Sequence, residues 1–214
     1  MRESARRSLC AANLKQLALA LQAYHDEHDS FPPTYIADED GKPMHSWRVL
    51  ILPYIEGGHL YDQYRFEEPW NSVNNLGVAR QALPLLSCPS YAGPTYDNDH
   101  SDAAVTNYVA VVGPNSIFRG VEATTIDDIL DGPSQTILLV DVANRSVPWA
   151  APIDITTEQF IAAVTDEQDH NHHTGTVAVF ADRNTRLLAS DTSLELLEAM
   201  TTTSAGDKVA DFAE

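Results

Sequence analysis

Basic residues are scarce in this chain. Thirteen Lys and Arg stand against thirty-one Asp and Glu in 214 residues, a formal charge of −18. Gripping a nucleic acid backbone takes a positive footprint, so DNA and RNA are excluded as partners. Long apolar runs are also missing: no unbroken stretch reaches the roughly 18 residues that a membrane-spanning helix needs. Met1–Lys15 is too polar for the core of a signal peptide. The sequence has no Gly-rich phosphate loop and no Gly-x-Ser-x-Gly elbow, which removes the common nucleotide-binding and serine-hydrolase readings. Cysteine is limited to Cys10 and Cys88, whose spacing fits no zinc motif. Two readings of them stay open: a pair of free thiols, one on a helix and one in a loop, or a single disulfide if the chain lies outside the cytoplasm.

What charge there is divides unevenly. Arg2, Arg6, Arg7 and Lys15 outweigh Glu3 at the start, leaving nine basic and thirty acidic residues in the remainder. A basic start and an acidic body suggest two environments along one chain.

Residues 4–28 read as a helix. Leu14, Leu17, Ala18, Leu21, Tyr24 and His28 recur at spacings of three and four, which is one apolar stripe. Ser30-Phe31-Pro32-Pro33 stops it. The stripe is absent from residues 2–8, so the first two turns are expected to project beyond the body. Strands are expected over 34–37 and 44–51 around the Asp38-Glu39-Asp40-Gly41 turn, then over 104–112 and 135–142. A second hairpin, 175–181 with 184–189, is expected around Asp182-Arg183. Short helices are expected at 76–83, 125–130, 157–165 and 193–201, with Thr156 or Thr157 capping the third. The order is α+β: a long N-terminal helix (1–30), a head built on a mainly antiparallel sheet with short helical inserts (31–203) and a loose tail (204–214).

Candidate ligands cluster in loops. Asp169-His170-Asn171-His172-His173 is the densest run. With Asp182 it supplies a set (His170, His172, His173, Asp182) that can ligate a transition metal, the basis of a metal-dependent enzyme reading. Asp97, Asp99 and Asp102 form an acidic loop suited to a weak calcium site. Asp38-Glu39-Asp40-Gly41 starts like a calcium loop but lacks its later ligands. Trp47 is expected on a strand, plugging the core against the helix, and Trp70 and Trp149 are expected to pack from loops. No catalytic constellation emerges, so the expectation is a non-enzyme without a cofactor, calcium aside.

Several stretches carry a resemblance. Arg2-Glu3-Ser4-Ala5-Arg6-Arg7-Ser8-Leu9-Cys10 with Asn13-Leu14-Lys15-Gln16, then His45-Ser46-Trp47-Arg48-Val49, Leu52-Pro53-Tyr54-Ile55-Glu56 and Pro69-Trp70-Asn71 form its first half. Cys88-Pro89-Ser90, Asn107-Tyr108, Asp131-Gly132-Pro133 and Val147-Pro148-Trp149 continue it. Together they resemble a bacterial prepilin-like family of unknown function, also catalogued among solute-binding proteins. The family typically ends in a His, a strand closing in Asp-Gly and a second strand. His173-Thr174-Gly175 and Val179–Asp182 fit this pattern, but Arg183 stands where Gly is usual, and Asn184 is the residue expected to take up left-handed geometry.

The resemblance implies a pilin-like or type II secretion pseudopilin-like head. A prepilin leader and hydrophobic helix would precede Arg2 in the full-length form, anchoring it in the envelope with the head outside the cytoplasm. It implies other pilin-like subunits or secretion machinery as partners, or alternatively a binding module for a small solute, glycan or calcium. It also makes Cys10 a candidate clamp to Cys88.

Overall fold

The computed structural model describes residues 2–97, 102–143, 145–166, 170–173, 175–204 and 206. The N-terminal helix, Glu3–His28, runs for 26 residues and ends at Asp29, which takes a left-handed conformation (φ 57°). At 1.5 Å per residue it is a rod of about 39 Å. Its buried side is Cys10, Asn13, Leu14, Leu17, Ala18, Ala20 and Leu21. The stripe therefore begins one turn earlier than its leucines suggest and fades after Leu21: Tyr24 is half-buried and His28 exposed.

The helix lies on a four-stranded antiparallel sheet. Its strand order is Thr185–Leu188, Thr176–Phe180, Ile137–Asp141, Tyr108–Val109. Both faces of this sheet are covered, which is why Ile137–Asp141 and Thr176–Phe180 are buried at every position. Alternation sorts the side chains. Tyr108, Leu139, Val177 and Val179 join the helix core with Leu14, Leu17 and Leu21. Val109, Val140, Ala178 and Phe180 face a second core, made with Phe160 and Val164 of the helix Thr157–Thr165 and with Leu197 and Met200. The result is three layers: long helix, sheet, short helices. Helix and head thus share one core, and burying each of the helix leucines contributes roughly 1.5–3 kcal/mol.

The α+β order and both hairpins are as expected. Tyr35–Ala37 pairs with Pro43–Ser46, and Thr185–Leu188 with Thr176–Phe180. Three local readings change. Residues 47–50 form a helical turn in place of a strand, because the Ser46 hydroxyl accepts from Arg48 N and caps it. Trp47 still plugs the core, fully buried against Phe118 with ring centroids 5.6 Å apart. The single strand expected over 104–112 is three short ones with different partners: Val105–Thr106 with Val147–Pro148, Tyr108–Val109 with Ile137–Asp141, and Val111–Val112, in parallel, with Ile155–Thr156. At the second hairpin the left-handed residue is Arg183 itself (φ 70°), and Asp182 Oδ1 accepts from Asn184 N at 2.9 Å. The tail beyond residue 206 lies outside the described residues.

The first two turns do not stand clear as expected. Arg2, Ser4, Ala5, Ser8 and Leu9 are exposed, but Glu3 and Arg6 turn to the body. Arg6 Nε reaches Ser90 Oγ at 3.1 Å and Glu3 at 2.8 Å.

Candidate functional site

Four segments meet where the N-terminal helix crosses the end of the sheet. Cys10 is the first residue of the helix's buried side, in line with Leu14, Leu17 and Leu21. Asp141 ends an otherwise apolar strand. As Leu139 faces the helix, the residue two further on does too. Cys88 follows the short turn Pro84–Leu86, its N–H donating to Asn107 Oδ1 at 2.8 Å. His172 enters from the loop before Thr176–Phe180, where Gly175 N donates to His172 O at 3.0 Å. Gly175 has φ +137°, and a Cβ there would lie 2.1 Å from Leu188 O, so only glycine fits this approach.

All four side chains are buried, and one ligand atom from each lies within 4.8 Å of the others. Cys10 Sγ is 3.3 Å from Asp141 Oδ2, Cys88 Sγ is 3.4 Å from His172 Nε2, and His172 Nε2 is 3.4 Å from Asp141 Oδ2. Surrounding groups hold each of them. His172 Nδ1 donates to Glu3 Oε1 at 2.6 Å. Asp141 Oδ1 accepts from Asn171 Nδ2 at 2.5 Å and also from Asn107 Nδ2. The Tyr108 hydroxyl donates to Cys10 Sγ at 3.3 Å, and Ser90 N to Cys88 Sγ at 3.4 Å.

This packing moves the proton affinities. Burial disfavours a charged His172, yet hydrogen bonds to Asp141, Cys88 and Glu3 outweigh it and push the imidazole up to about 10. The bond from His172, with help from Arg6 and Ser90 against some burial, brings the Glu3 carboxyl down to about 2. A bond from Cys10 lowers the Cys88 thiol to about 7 despite burial, with His172 adding to the effect. Cys10 is pushed up by the same bond, by burial and by Asp141. Cys88 is therefore the thiol that ionises first, beside a cationic partner.

Of the residues singled out in the sequence, the structure gathers Cys10, Cys88 and His172. Both cysteines are free thiols. The set His170, His172, His173 and Asp182 is not assembled. His170 Nε2 bonds Val164 O at 2.8 Å, His173 is exposed, and Asp182 is occupied by its hairpin turn, where Oδ2 accepts from Asn184 Nδ2 at 2.8 Å. Asp169 and Asp99 lie outside the described residues. Asp97 and Asp102 close a backbone turn, Asp102 N to Asp97 O at 3.1 Å, and the Asp102 carboxylate is 3.9 Å from Arg80. Asp38 Oδ1 is taken by Asp40 N at 3.1 Å and Lys42 N at 2.8 Å, so that run is a capped turn.

The remaining motif residues are structural. His45 is buried between the Tyr64 hydroxyl and Phe66 O, both at 2.9 Å. Arg48 and Asp154 form a buried pair at 2.6 Å. Trp149 is buried, its Nε1 donating to Gln81 O at 3.2 Å, and Trp70 is half-buried.

Asp141 is the site residue that the sequence reading missed. A lone carboxylate ending a buried apolar strand was the available signal, since an isolated buried charge demands partners.

Along the outer side of the N-terminal helix, next to Cys88, runs a groove of about 940 Å³ lined by Leu9, Asn13, Leu19, Tyr54, Leu83 and Leu85 among others. Among the described residues no helix is long and apolar enough to cross a membrane. A family model described as "Protein of unknown function (DUF1559)" and labelled SBP_bac_10 matches residues 1–195. No curated protein and no solved structure matches the chain.

Proposed function

The chain belongs to the DUF1559 family of proteins of unknown function, and from that premise we propose that it is a non-enzymatic, pseudopilin-like subunit of an envelope filament or secretion-type assembly. In this reading its head lies outside the cytoplasm, and its full-length form is anchored in the membrane ahead of Arg2. The observation that carries the reading is the two-sided N-terminal helix. One side is sealed into the head by Cys10, Leu14, Leu17 and Leu21. The opposite side stays bare over its length at Ser4, Ser8, Ala12, Lys15, Gln16 and Leu19. Two large apolar residues sit there in the open, Leu9 at 45% and Leu19 at 46% exposure. A helix that packs on its own head with one side and offers the other is what axial stacking of subunits requires.

In-cell cross-linking of the full-length gene product tests this. Ala12→Cys should give an oxidation-dependent covalent dimer, while Asp40→Cys, also exposed but on the hairpin turn, should not. Equal cross-linking from both positions, or none from Ala12, would refute the assembly role.

The groove beside Leu9 and Leu19 favours a second reading, a binding module for a small solute or glycan. Calorimetry with such panels is its test, and heats that vanish in a Leu83→Glu variant would support it.

A further inference from the structure

We infer that Cys10, Cys88, Asp141 and His172 form a tetrahedral site for a zinc-type divalent cation, which rivets the N-terminal helix to the head. The inference goes beyond the assembly role and stands independently of it.

The spacing is the first support. Tetrahedral zinc, with bonds of about 2.3 Å to sulfur and about 2.0 Å to nitrogen or oxygen, sets its ligand atoms about 3.3–3.8 Å apart. Three of the six edges here, Cys10 Sγ–Asp141 Oδ2, Cys88 Sγ–His172 Nε2 and His172 Nε2–Asp141 Oδ2, are 3.3, 3.4 and 3.4 Å, and all four atoms lie within 4.8 Å of one another.

Orientation is the second support. Glu3 occupies His172 Nδ1 and fixes the tautomer that turns Nε2 inward. Asn107 and Asn171 occupy Asp141 Oδ1, leaving Oδ2 inward. Such carboxylate–histidine and amide–carboxylate pairs characterise the surroundings of metal ligands. The Tyr108 hydroxyl and Ser90 N–H point at the two sulfurs, as donors do toward thiolates. A disulfide would use only two of the four groups and would turn those donors toward a poor acceptor.

Charge completes the case. Two thiolates and a carboxylate neutralise a dication with one negative charge to spare, and binding releases the thiol protons and the proton on His172 Nε2. Two soft sulfurs with an imidazole suit zinc better than calcium or magnesium. All four ligands are enclosed and protein-supplied, which marks a structural site, with no open position for catalysis.

The experiment uses the full chain without an affinity tag, reduced and titrated anaerobically with Zn²⁺ and with Co²⁺. About one metal per chain is expected, with the cobalt form showing tetrahedral d–d bands and thiolate-to-metal charge transfer. Zinc should raise the melting temperature. His173→Ala should leave binding intact, Glu3→Gln should weaken it about 10- to 100-fold, and Cys88→Ser, which leaves Cys10 as the one sulfur ligand, should remove about half of the charge-transfer intensity. The cobalt spectrum of the unaltered chain needs no variant to fold. Octahedral cobalt without charge transfer would overturn the inference. So would a reduced chain that takes up no metal, recovery as a Cys10–Cys88 disulfide whose reduced form stays metal-free, or binding lost in His173→Ala.

Discussion

Replacing Arg48 by Met should be among the most damaging single changes outside the sulfur cluster. The Arg48 and Asp154 side chains are 0% and 1% exposed and 2.6 Å apart. Asp154 also accepts from Ala110 N at 2.8 Å and Trp47 Nε1 at 3.2 Å. Arg48 further donates to Tyr108 O at 3.0 Å and Ser46 Oγ at 3.0 Å, and its Cζ lies 4.5 Å from the Trp47 ring centroid. Met fills much of the volume but leaves Asp154 as a buried charge with neutral donors only, a loss of about 3–5 kcal/mol. The Tyr108 carbonyl, which keeps the Thr106 hydroxyl at 3.4 Å but loses both guanidinium donors, adds about 1 kcal/mol. At about 2–4 °C per kcal/mol for a chain of this size, the midpoint should fall by at least about 8 °C in thermal unfolding followed by circular dichroism.

The deficit should itself depend on pH. Burial already pushes the Asp154 carboxyl up against the pull of Arg48. Without Arg48 the folded carboxyl rises further above its unfolded value, so the folded variant binds more protons than the unfolded one. Its handicap should therefore shrink as pH drops from 8 to 5. Arg48→Met with Asp154→Asn should cost less than the sum of the two single changes. An Arg48→Met loss below about 1 kcal/mol, or strict additivity in the double variant, would refute the reasoning.

Three further outcomes are expected. Gly175→Ala should cost about 3 kcal/mol or more in chemical denaturation, because its Cβ meets Leu188 O at 2.1 Å at φ +137°; near-native stability would show that the loop before Thr176 relaxes freely. Arg183→Gly should raise stability by up to about 1 kcal/mol, relieving a left-handed residue at φ 70°; a loss would mean that the arginine side chain contributes more than its backbone costs. Burial holds the His45 imidazole below its ordinary 6.5, so the folded state binds fewer protons than the unfolded chain. Stability should be full above that value and fall as pH drops below it, and His45→Gln should flatten the slope between pH 7.5 and 5; an unchanged slope would clear His45 of any part in it.

The sequence carried the layers more readily than the site. A stripe at spacings of three and four marks the helix, and the β-branched runs at 137–141 and 176–180 mark the central strands, since local periodicity reports which side of an element is covered. Trp47 was misplaced because a β-rich run hid the Ser46 cap, whose hydroxyl decides the local conformation. The cluster was hard to read for a different reason. His170, His172 and His173 are neighbours in the chain, but a strand entry sends adjacent side chains in different directions, so only His172 turns inward. Its partners come from helix, loop and strand positions that only the fold brings together.

The contact between Glu3 and His172 joins residues 169 positions apart, and this has a kinetic consequence. Of the described elements the helix is synthesised first, and Thr176–Phe180, the strand that covers its leucines, among the last. At about 5–20 residues per second, Leu14, Leu17 and Leu21 wait about 8–30 s for their partners. Native pairing so distant in sequence slows the search for the fold. During that interval the nascent chain displays a greasy rod, open to whatever chaperone or apolar surface meets it first.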